Sequence, residues 1–169
     1  TAGFNTVDMG LLSTPTIFIM IVLMFIGASP GSTGGGIKTT TFAIMVLTLI
    51  SQIRGESEVN LRERNVPLDI VLKAFLIAAI SGGLIALYTL LLLITEAKSL
   101  SSLLFEVVSA FATVGLSLNF TPQLTSWGRV IIISLMFIGR VGPLTLALSF
   151  HHPPRRGDVR YPATRIMVG

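Results

Sequence analysis

The sequence of 169 residues contains no cysteine and few charged residues. Without cysteine it can form no disulfide framework, no thiolate zinc site and no cysteine nucleophile. Charged residues make up 12% of the chain, against about 25% in an average soluble domain. Hydrophobic residues make up 51%, and the mean hydropathy is +0.82. This composition excludes a disordered chain and argues against an ordinary soluble domain, whose surface needs more charge.

The net charge of +4 does not indicate a nucleic-acid-binding face. Most basic residues fall into two short stretches, residues 54–64 and residues 155–165, and long uncharged segments separate them. This distribution is typical of membrane topology. The chain begins with Thr1 and lacks the layout of a signal peptide. We therefore expect it to begin part-way through a longer protein.

Long apolar segments predict an all-α integral membrane protein. Residues 69–94 form one continuous span, since about 20 apolar residues cross a bilayer. Residues 16–53 predict one crossing that is interrupted at residues 28–38, where Pro30 and four glycines disfavour a helix. Inside a membrane, such non-helical backbone is tolerated only where it lines water or is buried in protein.

Two further helices are predicted in the second half of the chain. Leucine, valine and phenylalanine recur at helical spacing in residues 99–112, with Ser99 as the N-cap. At about 14 residues this helix is too short to span, and a re-entrant pore helix fits its length. Residues 127–150, opened by an interfacial Trp127, predict a last span. Residues 54–67 are polar and predict a loop or a short surface helix.

Charge orients this arrangement. If residues 99–119 enter and leave the membrane on one side, residues 54–65 and the tail after residue 150 share the other side. That side holds seven lysines and arginines, against Lys98 and Arg129 opposite. The positive-inside rule then places residues 54–65 and the C-terminus in the cytoplasm of a multi-pass protein in the cytoplasmic membrane.

The chain also repeats itself at an offset of 112 residues, without a gap. Ten of the 27 positions in residues 1–27 are identical to residues 113–139, including a Thr-x-Gly turn and a Met-Phe-Ile-Gly block. The predicted unit is a span, a re-entrant pore helix, a filter loop and a second span. The chain then divides into residues 1–53 (the rear of one unit), 54–65 (a cytoplasmic loop), 66–150 (a complete unit) and 151–169 (a cytoplasmic tail).

A re-entrant helix followed by Thr-Val-Gly at residues 113–115 is the arrangement of a potassium filter. Backbone carbonyls replace the ion's hydration shell, and glycine lets the backbone turn them inward. The alternative is a buried turn between two membrane helices. Behind the filter, Glu106 acts either as a hydrogen-bonding anchor or as a source of negative potential. Asp8 and Asn119 are expected to line the mouth.

Four blocks, in order, resemble the membrane subunit of the Trk/Ktr/HKT potassium transporters, nearest the bacterial Ktr type. They are TAGFNT at residues 1–6, GASPGSTGGGIKTT at 27–40, FEVVSAFATVGLS at 105–117 and FIGRVGP at 137–143. The resemblance implies four repeats around one pore, of which this chain holds the rear of the third and all of the fourth. It also implies a homodimer with a cytoplasmic ring of regulatory subunits. Any nucleotide would be bound by that ring, and this chain would carry no covalent cofactor.

The resemblance also implies the site residues. The third filter strand would be Thr1, Ala2, Gly3, Phe4 and Asn5, and the fourth Thr113, Val114, Gly115, Leu116 and Ser117. Potassium would be held at the filter carbonyls only. The gate below the filter would be Ala28, Ser29, Pro30, Gly31, Ser32, Thr33, Gly34, Gly35, Gly36 and Lys38, together with Arg140. The repeat pairs Ala28 with Arg140, which independently predicts that the arginine meets this loop.

The sequence thus predicts potassium uptake through a carbonyl-lined filter gated by a glycine-rich loop. It contains no Ser/His/Asp or paired-carboxylate arrangement, so we expect no enzyme. One alternative is a broken-helix secondary carrier for another cation or a small solute. A second is an inert assembly subunit of a membrane complex. Lys38 does not complete a P-loop, because Ile37 separates it from Gly36, and we expect it to reach water or a carbonyl instead of a phosphate.

Overall fold

A computed structural model describes residues 2–55, 59–61 and 64–142. Within these ranges the regular secondary structure is helical apart from one two-stranded ribbon, and loops connect the elements. The α-helices are α1 (Thr14–Ile26), α2 (Thr39–Ile53), α3 (Leu68–Thr95), α4 (Leu100–Phe111) and α5 (Ser126–Val141). Single 3-10 turns lie at Met9–Leu11 and Thr121–Gln123. The strands β1 (Asn60–Leu61) and β2 (Arg64–Asn65) pair antiparallel, with Asn60 opposite Asn65.

Helix α3 confirms the predicted continuous span, with one more residue at each end. It has 28 residues, begins after Pro67 and ends before Glu96. Among the described residues it is the one helix long and apolar enough to cross a membrane alone. Helices α1, α2 and α4 are also apolar but have 10 to 17 residues.

The predicted break in the first crossing is confirmed between α1 and α2. Residues 28–38, called the intramembrane loop below, contain no helix. The loop folds back on the end of α1, where the Ile37 amide donates to the Phe25 carbonyl at 3.1 Å. At its other end the Thr39 amide donates to the Ala28 carbonyl at 3.3 Å. One of the last carbonyls of α1, that of Phe25, thus finds a partner within the loop, as the unpaired carbonyls of a helix end require.

Helix α4 lies at the centre of the described structure and packs against α1, α3 and α5. Ser99 caps it as predicted, because its hydroxyl accepts from the Ser102 amide. Eight of its twelve residues are buried, so the core of the structure surrounds this short helix. The largest fully buried apolar side chains nearby are Leu92, Leu103, Phe105, Phe111 and Leu135.

Two predicted segments differ from the structure. Residues 54–67 were predicted as a loop or a short surface helix; among their described residues there is no such helix, and residues 60–61 and 64–65 pair as the two-stranded ribbon. The last span was predicted to run to residue 150; helix α5 ends at Val141, where Gly142 has a φ of 93° and turns the chain out of the helix, and the remainder of that predicted span lies outside the described residues. Residues 143–169, including the basic tail, and Thr1 lie outside the described residues.

Replacing Gly139 with alanine is expected to destabilise the protein by about 1–3 kcal/mol, the usual cost of overpacking. A methyl group on Gly139 would lie 2.0 Å from the Phe111 carbonyl oxygen, so α5 would have to move away from α4. Thermal unfolding of the full-length protein in detergent measures this. Gly82→Ala in α3 is the matched control, since no atom would lie within 4 Å of its new methyl group. Equal melting temperatures for the two variants would contradict the close packing.

Candidate ion-conduction site

The two predicted filter strands meet at their glycines. Gly3 has a φ of 78° and Gly115 a φ of 88°, both in the left-handed region that favours glycine. A methyl group on Gly3 would lie 2.4 Å from the Val114 carbonyl oxygen, and one on Gly115 would lie 3.6 Å from the Gly3 Cα. Side chains are therefore disfavoured at both positions, and the strands face each other through backbone atoms.

The other filter positions differ in burial. In the third strand Ala2, Phe4 and Asn5 are exposed, and the Asn5 amide group donates to the Val7 carbonyl at 2.6 Å. In the fourth strand Val114 is buried and Leu116 packs against the core. The fourth strand is therefore fixed in the core, whereas the described part of the third strand contacts it mainly through Gly3.

The fourth strand begins where α4 ends. The Thr113 amide donates to the Ala110 carbonyl at 3.2 Å, and the Val114 amide to the Ser109 carbonyl at 2.9 Å. Thr113 has a φ of 54°, which is unusual for a β-branched residue. The chain thus turns sharply at Thr113, next to the helix end that carries partial negative charge.

Gly35 of the intramembrane loop binds this same turn. Its amide donates to the Ala112 carbonyl at 3.0 Å and to the Thr113 hydroxyl at 2.9 Å. A methyl group on Gly35 would lie 2.8 Å from the Ala112 carbonyl carbon. On another side of the turn, Gly139 approaches Phe111 with no room for a side chain. The end of α4 is therefore held between a loop glycine and a helix glycine.

Arg140 lies between the intramembrane loop and the predicted fourth filter strand. Its Nη1 donates to the carbonyl oxygen of Thr33. It borders a cleft of about 360 Å³ lined by residues of the loop and of the end of α5. It also borders a cleft of about 340 Å³ whose lining includes Thr113, Val114 and Gly115. The structure thus brings Arg140 to the loop, as the repeat predicts.

Lys38 binds the loop from within. Its Nζ donates to the carbonyl oxygens of Ser32, at 3.4 Å, and of Gly34. The expectation that Lys38 reaches a carbonyl is confirmed. Arg140 and Lys38 therefore hold the neighbouring carbonyls of Thr33 and Gly34, one from α5 and one from the loop itself.

The exposed residues at the start of the loop are Ser29, Pro30, Gly31, Ser32 and Thr33, whereas Ala28, Gly34, Gly36 and Lys38 are half-buried and Gly35 is buried.

A chain of hydrogen bonds connects the segments that follow the two filter strands. Asp8 Oδ1 accepts from the Gly10 amide at 2.9 Å and from Asn119 Nδ2 at 2.8 Å. Gln123 Nε2 donates to the Asn119 carbonyl at 3.1 Å, and Lys98 Nζ donates to Gln123 Oε1 at 2.8 Å. The Gly10 and Asn119 hydrogen bonds lower the pKa of Asp8 below its ordinary value of 3.8. Asp8 is therefore ionised at neutral pH. Through Asn119 it connects the segment that follows the third predicted strand to the segment that follows the fourth.

The contribution of Asp8 to stability is expected to disappear in acid. Because its pKa is lowered by folding, that contribution is present above its ordinary pKa of 3.8 and is lost as pH falls through the lower folded value. Wild-type protein should unfold at a higher temperature than Asp8→Ala near pH 7, and the difference should shrink below pH 3.8. A difference that stays constant throughout the acid range would show that the Asp8 carboxylate charge is not involved.

Glu96 is a structural contributor that sequence reasoning did not identify. It is buried at the end of α3, and its Oε1 accepts from the amide of Thr125 at 3.0 Å and from its hydroxyl at 2.6 Å. Thr125 in turn caps α5 by accepting from the Gly128 amide at 3.1 Å. The carboxylate lies at a helix N-terminus, where negative charge is favoured. One indication of this role was present in the sequence. Glu96 is one of only eight acidic residues in the chain and comes directly after a long apolar span.

Comparison with known proteins agrees with this geometry. A family model described as TrkH, cation transport protein, matches residues 1–156. The Ktr system potassium uptake protein B of Bacillus subtilis is 41% identical over 169 residues, which are all of this chain and 38% of that protein. The Ktr system potassium uptake protein D of the same organism is 42% identical over 167 residues, 99% of this chain and 37% of that protein.

A more distant relative is the potassium/sodium uptake protein NtpJ of Enterococcus hirae, 35% identical over 175 residues, with 100% of this chain and 39% of that protein covered. The chain thus spans about two fifths of the length of these relatives. The family and relatives are named as transporters and not as enzymes. Because the family model covers nearly the whole sequence, the chain belongs to the TrkH family of cation transport proteins.

Proposed function

We propose that the chain is part of a subunit that takes up potassium across the cytoplasmic membrane through a carbonyl-lined filter. The observation that carries this proposal is the backbone contact of Gly3 with Val114 and Gly115, directly beyond the end of α4. Positive φ angles at both glycines suit strands that turn carbonyls toward a common axis. The negative end of α4 favours a cation nearby. Two strands supply only part of a ring, and the rest of the full-length protein supplies the other strands.

The internal repeat supports a pore built from four similar units. Residues 1–27 and 113–139 share ten identities, and the helices that end these two segments, α1 and α5, both pack against α4. Helix α4 is then the re-entrant pore helix of the fourth unit, and α3 and α5 are its flanking spans. The intramembrane loop interrupts the second span of the third unit.

The intramembrane loop is the proposed gate. It binds the end of α4 through Gly35 and is held by Arg140 and Lys38. Two fixed positive charges beside the route of a cation raise the energy of its passage. Opening then requires the loop to release the Arg140 hydrogen bond and to leave the end of α4.

The names of the relatives support the proposed partners. Two relatives are named as proteins of a Ktr system, and the proposed assembly is a homodimer with a cytoplasmic ring of nucleotide-binding subunits. The positive-inside rule orients residues 54–65 and the C-terminus toward that ring. A broken-helix carrier would also use an interrupted crossing, but the glycine contact beyond α4 favours a pore.

Potassium-dependent growth tests this function. The full-length protein with its regulatory partner should restore growth of a bacterial strain deficient in potassium uptake, and rubidium uptake should follow its expression. Current recordings in lipid bilayers then separate a pore from a carrier, because a pore passes many ions in each opening. A protein that reaches the membrane but transports neither potassium nor rubidium would contradict the proposal.

A further inference from the structure

The fourth filter strand is attached to α4 at its start, and the segment that follows the strand is attached to α4 as well. At the start the Thr113 and Val114 amides donate to carbonyls in the last turn of α4. Four residues beyond the last filter residue, the Thr121 hydroxyl donates to Glu106 Oε1. Glu106 precedes Ser109 and Ala110 by three and four residues, so the three lie on one side of the helix. The same helix therefore holds both the start of the strand and the segment that follows it.

A second pair of hydrogen bonds connects Thr121 to the filter itself. The Ser117 hydroxyl accepts from the amide of Phe120 at 3.2 Å and from the amide of Thr121 at 3.3 Å. Ser117 is the last residue of the fourth filter strand. Glu106 is thus linked to the filter through Thr121, without any direct contact with an ion path.

The surroundings of Glu106 are unusual for a carboxyl group. The residue is 5% exposed and lies in a helix whose neighbouring residues are nearly all buried. Its Oε2 is buried and has no hydrogen-bond partner among the described residues. Burying a carboxyl group is costly. Among the described residues, the side-chain hydrogen bond that Glu106 accepts is the one from the Thr121 hydroxyl.

We infer that Glu106 is a positioning residue that fixes the carbonyls of the fourth filter strand by holding Thr121, and that this bond sets the preference for potassium over sodium. The inference rests on the proposed function. A filter whose carbonyls can shift adapts to the smaller ion, whereas a strand held at its start and through the segment that follows it resists that adjustment. The competing role, negative potential from the Glu106 charge, predicts a different set of mutant effects.

Variants of Thr121 test the bond without altering the buried core, because Thr121 is exposed. Thr121→Val removes the hydroxyl and keeps the shape, whereas Thr121→Ser keeps the hydroxyl. In the full-length protein, the ratio of potassium to sodium affinity is read from the inhibition of rubidium uptake by each ion. We expect Thr121→Val to lower this ratio about fivefold, the effect of one hydrogen bond of ordinary net strength, and Thr121→Ser to retain it.

Thr95→Val is the matched control, since among the described residues the Thr95 hydroxyl donates to carbonyls in the last turns of α3 and to no residue of the predicted filter. Glu106→Gln keeps an acceptor for Thr121 and removes the charge, so it should resemble the wild type in selectivity. An unchanged ratio in Thr121→Val, with wild-type uptake, would overturn the inference and leave the proposed function intact. A reduced ratio in Glu106→Gln alone would assign the effect to charge. Absence of uptake by the unmodified protein would overturn both.

Discussion

Replacing Arg140 with alanine in the full-length protein is expected to raise potassium flux without the regulatory partner by about tenfold or more. A hydrogen bond from a charged donor contributes about 1.5–3 kcal/mol, and each 1.4 kcal/mol is about a factor of ten in an equilibrium. Losing the bond to Thr33 therefore shifts the intramembrane loop toward release. Removing the positive charge also lowers the barrier to a cation. Rubidium flux into liposomes containing the purified protein measures the change.

Arg129→Ala is the matched control for this variant. Arg129 lies on the same helix, and its Nη2 donates to a backbone carbonyl, that of Pro122, at 3.4 Å. It is near the start of α5, far along the helix from the loop, so its loss should leave flux near the wild-type level. If Arg140→Ala abolishes flux while the protein folds and reaches the membrane, Arg140 is a structural anchor and not part of a gate.

Gly115→Ser is expected to reduce the preference for potassium over sodium by about tenfold or more. Gly115 has a φ of 88°, which an L side chain adopts only with strain, of order 1–3 kcal/mol. The strand relieves the strain by rotating its backbone, and that rotation turns the neighbouring carbonyls away from the ion. Competition between sodium and rubidium in an uptake assay reports the loss.

The appropriate control is Gly83→Ser, at an exposed position of α3, where an added Cβ atom would meet no atom of the described residues within 4 Å. It should leave selectivity unchanged. If Gly115→Ser is expressed normally and keeps normal selectivity, residues 113–117 do not form part of the filter. That result would favour the alternative of a buried turn.

The elements that the sequence predicted well are those set by local pattern. Helix α3 follows from an uninterrupted apolar run, and α4 from helical spacing with a cap at Ser99. The break at residues 28–38 follows from glycine and proline, whose effects on a helix are local. In each case the interactions that determine the element are between residues close together in the sequence.

The features that the sequence did not reveal depend on distant contacts. Glu96 binds Thr125 across 29 positions, and only the packing of α3 beside α5 brings them together. The repeat placed Arg140 near the loop but could not identify Thr33 as the acceptor. The end of α5 at Val141 was missed because residues 143–150 continue the apolar composition, whereas Gly142 leaves the helix.

The bond from the Gly35 amide to the Ala112 carbonyl has a thermodynamic consequence for the proposed gate. While the loop is in place, its amide partly neutralises the negative end of α4. When the loop leaves, that carbonyl becomes available to a cation, so opening removes an obstacle and creates a binding site in one movement. A potassium ion that binds there binds the open form better and must, by linkage, stabilise it. Potassium on the cytoplasmic side of the filter should therefore favour the open state and make the transported ion an activator of its own pathway.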